Sequence, residues 1–375
     1  MLKLLWIALS LLLSTRVCGQ APAPPSPEAQ SQLAEAERQW QLAVQKDPRN
    51  AGAFASLGVV LAREGKYPEA VRAYKKALAL NPQLPGIRLN LGLAEFKQGD
   101  FPAAIAPLHS ALAADPQSVQ ARTLLGLSYY GAKRFAEASE QLSQVAQLDP
   151  GNLELRRILA QSCLWAKKYD CALEAFRQIQ LHDPDSVAAH MLSGEALDGL
   201  ARTPEAIAEF QAAVKIGPRE PDVNFGLGYL QWKLAHYDEA RKSFADELAI
   251  DPNHPQALAY LADIDMKDND PEKALALLEK VVKQRNDIRI AYLDLGAILT
   301  QQKRYTEAMA ALKQAVKLDP SQPDGHFRLG RLYQATGNMP AAQKEFATVR
   351  ELHEKQNEDV ASKMPAPKPD LRPQK

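Results

Sequence analysis

The strongest constraint on this chain is an internal ruler. Gly or Ala stands at 58, 92, 126, 160, 194, 228, 262, 296 and 330, always 34 residues apart. Ala recurs at the same interval at 70, 104, 138, 172, 206, 240, 274, 308 and 342. Thirty-four residues hold two helices of ordinary length and two short turns, so the 375 residues should fold as a linear array.

Within the first unit Leu57, Gly58 and Leu61 share one helical face, and Ala70, Tyr74 and Ala77 share a face of the next helix. Small residues oppose large ones: Gly58 and Ala70 let two backbones approach while Tyr74 fills the space beside them. Pro82 ends the hairpin, and Pro recurs in register at 116, 150, 184, 218, 252 and 320. Asn50, Ser118, Asn152 and Ser186 stand where an N-cap would open the next helix, and Pro85, Pro221, Pro255 and Pro323 are expected at first helical positions.

The order of an apolar or aromatic residue, Leu-Gly, Tyr, then Ala, an aromatic, Ala and Pro resembles the tetratricopeptide repeat. Phe54, Leu57, Gly58, Leu61, Ala70, Tyr74, Ala77 and Pro82 carry it in one unit, and Leu125, Gly126, Tyr129, Ala138, Leu142 and Pro150 in another. The resemblance implies an all-α, right-handed superhelical solenoid of antiparallel helix hairpins. It places nine repeats at 51–84, 85–118, 119–152, 153–186, 187–220, 221–254, 255–288, 289–322 and 323–356. The motif encodes hairpin stacking and does not identify a ligand.

Departures from the register mark the ends. Ala36, Trp40, Ala43 and Pro48 keep step, but their first helix would fall in a proline-rich stretch, so 28–50 reads as a lone second helix that caps the array. Asn286 replaces the recurrent proline, which predicts an irregular exit from the seventh repeat. Residues 357–375 read as a disordered, proline-rich tail. At the other end Lys3, the apolar run Leu4 to Leu13 and Val17-Cys18-Gly19 read as an export signal over 1–19, followed by a stiff spacer over 20–27. The expected compartment is the periplasm or the exterior, with no membrane span after signal cleavage.

Lys plus Arg and Asp plus Glu are equal at 45 each, so no net positive field favours nucleic acid as a partner. There is no His-Glu-x-x-His, Walker loop, dinucleotide fingerprint or nucleophile elbow, so the chain is read as non-catalytic, with no cofactor. The seven histidines are scattered without metal-ligand spacing, and no metal is expected. His190 and His326 share a repeat position with Phe54 and Tyr292, which suggests packing. Cys163 and Cys171 flank one hairpin turn. A disulfide is one reading, suited to an oxidising compartment, and two free thiols the other.

In the resembling family the first helix of each hairpin lines the binding surface. Carried over by position, that surface includes Phe96, Tyr130, Trp165 and Met191, then the i, i+4, i+7 stripe Phe225, Tyr229 and Trp232. Arg157, Glu195, Lys233 and Asp222 would frame it. The Lys/Asn/Arg clamp that relatives use for a terminal carboxylate is missing, since Arg157 is the one basic residue at the fifth offset. The expected ligand is therefore an extended or helical apolar segment of a protein or peptide, with a saccharide as the alternative because Trp and Tyr faces stack on sugar rings.

Overall fold

The computed structural model describes residues 26–363, so the expected signal, most of the spacer and residues 364–375 lie outside it. All described elements are helices, and they fall into two compact units divided after Ile216. The first unit opens with α1 (Pro27–Lys46). Five hairpins follow it: α2 (Ala51–Arg63) and α3 (Tyr67–Leu80), α4 (Ile87–Lys97) and α5 (Phe101–Ala114), α6 (Val119–Gly131) and α7 (Phe135–Leu148), α8 (Leu153–Trp165) and α9 (Tyr169–Gln180), α10 (Val187–Gly199) and α11 (Thr203–Ile216). The second unit holds four: α12 (Val223–Lys233) and α13 (Tyr237–Ile250), α14 (Pro255–Lys267) and α15 (Pro271–Gln284), α16 (Arg289–Gln301) and α17 (Tyr305–Leu318), α18 (Pro323–Ala335) and α19 (Met339–Lys363).

The seven hairpins with glycine at the repeat's small position close on the small-to-large contact visible in the repeat. A Cβ added to Gly58 would lie 2.6 Å from the Tyr74 ring, and one on Gly228 would lie 2.7 Å from Phe244. Any larger residue must displace a buried aromatic, at a cost of about 1 to 3 kcal/mol. The turn inside each hairpin carries its own 34-residue mark: Gly65, Gly99 and Gly337 have positive φ, and so do Lys133, Lys167, Ala201, Ala235, Asn269 and Lys303. Six of the nine turns therefore hold a side chain in the left-handed region.

Asn50, Ser118 and Asn152 accept the backbone N–H of Ala53, Ala121 and Leu155 as N-caps, whereas Ser186 occupies the cap position without a side-chain bond. Pro255 and Pro323 open their helices as expected. Pro85 and Pro221 do not, because Gly86 and Asp222 follow them with φ of 74° and 67° and delay the helix start to Ile87 and Val223. Residues 26 and 27, expected in the spacer, belong to α1: Ser26 caps it and Pro27 is its first residue. Residues 357–363 continue α19 as helix, and the rest of the expected tail lies outside the described residues.

A second device ties the exit turns down. The side chains of Arg122, Arg156, His190, Asn224 and His326 each reach the carbonyl of the proline six residues earlier, at 2.8 to 3.2 Å. His190 and His326 also place Nδ1 at 2.7 and 2.6 Å from Glu209 and Glu345. Their position is thus a polar bridge, not the packing site expected from Phe54 and Tyr292. At 285–288, where Asn286 interrupts the proline series, Arg285 forks onto Asp287 and Gln314 donates to the Asn286 carbonyl.

Candidate functional site

In the first unit the structure brings Tyr130 and Trp165 together. Their rings stack at 5.7 Å, and Phe135 from the second helix of the Tyr130 hairpin packs on Trp165 at 4.5 Å. The Tyr130 hydroxyl donates to Gln161 Oε1 at 2.8 Å, and burial pushes that phenol up to about 12. The Trp165 indole N–H is buried without a hydrogen-bond partner. Phe96 is partly covered and meets Phe101 edge-on at 5.4 Å. Arg157 pairs with Glu154 on its own helix at 3.0 Å, while Met191 and Glu195 are half-buried.

Cys163 and Cys171 are joined across the turn between α8 and α9, with Cα atoms 5.7 Å apart. Cys163 is fully buried, and Trp165 follows it by two residues. The bridge therefore anchors the hairpin that presents the stacked tryptophan.

The aromatic stripe of the second unit divides. Phe225 is only 2% exposed, enclosed by Phe244, His254 and Tyr260 at 5.9, 5.1 and 6.0 Å, and presents no contact surface. Its offset turns it toward α13 and α14, which fill the space that a ligand would need. Tyr229 and Trp232 remain partly open and stack at 6.2 Å, with Tyr260 edge-on to Trp232 at 4.8 Å. The Trp232 indole N–H donates to Asp263 Oδ2 at 2.6 Å, and Lys267 reaches the same carboxylate at 3.2 Å. Lys233 is exposed at the end of the stripe, while Asp222 is buried and frames nothing.

Asp263 leads inward to a second carboxyl. Asp294 is 1% exposed, with Arg328 at 3.3 Å from one oxygen and no hydrogen-bond donor on the other. Burial first, and the neighbouring Asp263 charge second, push its carboxyl up to about 7, against the pull of Arg328 and Lys267. Neither acid stood out in the sequence. The signal was an offset between repeats: Trp232 precedes Asp263 by 31 residues, as Tyr130 precedes Gln161.

The scattered-histidine reading also missed a cluster, because its members are 25 and 32 residues from Asp222. Asp222, Glu247 and His254 are buried with ligand-type atoms within 4.8 Å of one another. Their bonds give them a structural task. Glu247 accepts the backbone N–H groups of Asp222 and Phe225 at 3.0 and 3.1 Å, which places a carboxylate on the positive end of α12. His254 Nδ1 accepts the Ala257 N–H as the cap of α14, so its Nε2–H donates to Asp222 Oδ1 at 2.8 Å. No described helix is long and apolar enough to cross a membrane.

Comparison with known proteins agrees with this architecture. A TPR repeat model matches residues 60–99 and 296–337, and two tetratricopeptide repeat models match 89–153 and, separately, 129–196 with 236–297. "Cellulose synthase operon protein C" of Pseudomonas fluorescens is 27% identical over 135 residues, 34% of this chain and 11% of that protein. "Anaphase-promoting complex subunit 7" of Homo sapiens is 29% identical over 133 residues, 35% of this chain and 24% of that protein. The matched stretches thus span a quarter or less of these relatives. Among solved structures, the APC/C hetero-tetramer Cut9-Hcn1 aligns at a TM-score of 0.53 and 14% identity, covering 87% of this chain and 81% of that chain, a likeness of fold alone. With the family models falling on the same hairpins that the 34-residue ruler marks, the chain is a tetratricopeptide-repeat protein.

Proposed function

We propose that this protein is an exported, non-catalytic scaffold that holds an apolar segment of another protein against its first-helix walls. The observation that carries the reading is the fixed Tyr229–Trp232 pair. Its indole is tied to Asp263 at 2.6 Å and its rings are braced by Tyr260, yet both residues remain partly open. Aromatic side chains held in place before binding lose little entropy on contact, which makes such pairs effective anchors. Tyr130 and Trp165 form a comparable platform in the first unit. Export is supported by the N-terminal charge, the apolar run and the small residues after it, and by a bridged cysteine pair suited to an oxidising compartment.

A saccharide is the second reading, favoured by the similarity to a protein named for a cellulose synthase operon. Affinity capture from the native envelope, with wild-type protein and with Tyr229→Ala/Trp232→Ala, tests both. Loss of a protein partner by the double variant, with helicity retained, supports the first reading. Unchanged capture overturns it, and glycan binding that disappears with Trp232 moves the assignment to the second.

A further inference from the structure

In the seven hairpins whose small residue is glycine, a large side chain on the second helix covers it from sixteen positions later. Examples are Tyr74 on Gly58, Phe210 on Gly194 and Phe244 on Gly228. Tyr74, Phe210 and Phe244 are buried, as are Ala70 and Ala77 on either side of Tyr74. Helix α1 carries the same face, Ala36, Trp40 and Ala43, and no described helix precedes it. Trp40 is 36% exposed. Sixteen residues ahead of it stands Pro24, within Ala21-Pro22-Ala23-Pro24-Pro25, and three prolines in five residues oppose a helix there. The sequence in that register thus disfavours a covering helix.

We infer that this face of α1 binds the same face of a second copy of the chain, in an antiparallel two-fold pair. The face is self-complementary. Ala29, Leu33, Ala36, Trp40 and Ala43 alternate at spacings of four and three, a seam of knobs with small residues beside the largest knob. With the two-fold axis level with residue 38, each Trp40 lies over the partner's Ala36, an aromatic over a small residue as Tyr74 lies over Gly58 in the first unit. The seam's flanks are compatible with this arrangement: Gln32 and Gln39 are neutral, and Glu37 is already held by Lys66 at 2.7 Å. No first-type helix of a second copy could serve instead, because each is covered by its own hairpin partner. Two 20-residue helices bury on the order of 1,000 Å² in total, the low end for a specific interface, so the pair is weak and concentration-dependent.

Sedimentation equilibrium of the full chain between about 1 and 100 μM tests the assignment. The wild type should shift from monomer to dimer across that range. Trp40→Glu should remain monomeric throughout with unchanged far-UV circular dichroism, while Leu42→Glu, on the outer side of α1 at 64% exposure, should dimerise like the wild type. Ala36→Glu preserves Trp40 and helix propensity, and should lose the dimer equally if Trp40→Glu proves poorly folded. A monomeric wild type, as expected if preceding residues or another protein cover the face, overturns the inference. So does a dimer that survives both seam substitutions.

Discussion

Tyr130 and Trp232 occupy the same position in their repeats, and each donates to a residue 31 positions later, yet the acceptors differ in kind. In the first unit the acceptor is the neutral amide of Gln161, and the surrounding wall is Leu89, Leu93, Phe96 and the Tyr130–Trp165 stack. In the second it is the Asp263 carboxylate, met by Lys267 and backed by buried Asp294, which Arg328 pairs in turn. Buried Asp265 is likewise held by Arg241 at 2.6 Å. One 34-residue rule thus admits, at this one repeat position, a neutral acceptor beside a covalent pin and a charged acceptor backed by a second carboxyl. The rule fixes where helices approach, while the residues between its anchor positions decide what environment stabilises each unit.

That contrast can be broken most severely at Glu247. Glu247→Ala leaves the Asp222 and Phe225 N–H groups without their acceptor and should destabilise the second unit by about 3 kcal/mol. Hydrogen exchange should accelerate in α12 and α13 and remain unchanged in α2 to α9; equal acceleration in both units would contradict the separation. The corresponding stress on the first unit is the double replacement Cys163→Ala/Cys171→Ala. Opening a closed loop with a sequence separation of 8 should cost about 2 to 3 kcal/mol, visible as a lower denaturant midpoint for α8 and α9 alone.

Asp294 sharpens the comparison through pH. Its carboxyl is raised from 3.8 to about 7 on folding, so between those values the folded chain holds more proton than the unfolded one. Stability of the second unit should therefore fall as pH rises through that window and level off above it. Asp294→Asn cannot ionise; it should flatten this slope and stabilise the unit above neutrality by on the order of 1 kcal/mol. Urea unfolding followed at several pH values measures this, and a slope that survives the substitution would place its origin elsewhere. The smallest effect concerns the hairpin turns. Lys303→Gly relieves a φ of 60° and should raise stability by about 0.5 kcal/mol, checked by the same unfolding transitions.

The hairpins were legible because their determinants lie within one repeat: Gly58 and Tyr74, or Gly228 and Phe244, meet wherever two helices close on each other. What failed to show depended on neighbours a full repeat away. Phe225 shared a helical face with Tyr229 and Trp232, but only the positions of Phe244, His254 and Tyr260 reveal that it is covered. His190 looked like a packing residue until Glu209 and the Pro184 carbonyl took its two nitrogens. Asp222 read as a surface charge, whereas its left-handed backbone and its bond to His254 make it part of a buried cap. The left-handed Lys and Ala turns were hidden because those residues do not advertise positive φ as glycine does.

Hydrogen exchange of the wild-type chain at about pH 5 and about pH 8, oxidised and reduced, with intrinsic exchange rates corrected, tests the central contrast directly. Reduction should lower protection in 153–180 and leave 255–301 unchanged, and raising the pH should lower protection in 255–301 and leave 119–165 unchanged. Parallel responses of 119–165 and 255–301 to both treatments would contradict the account.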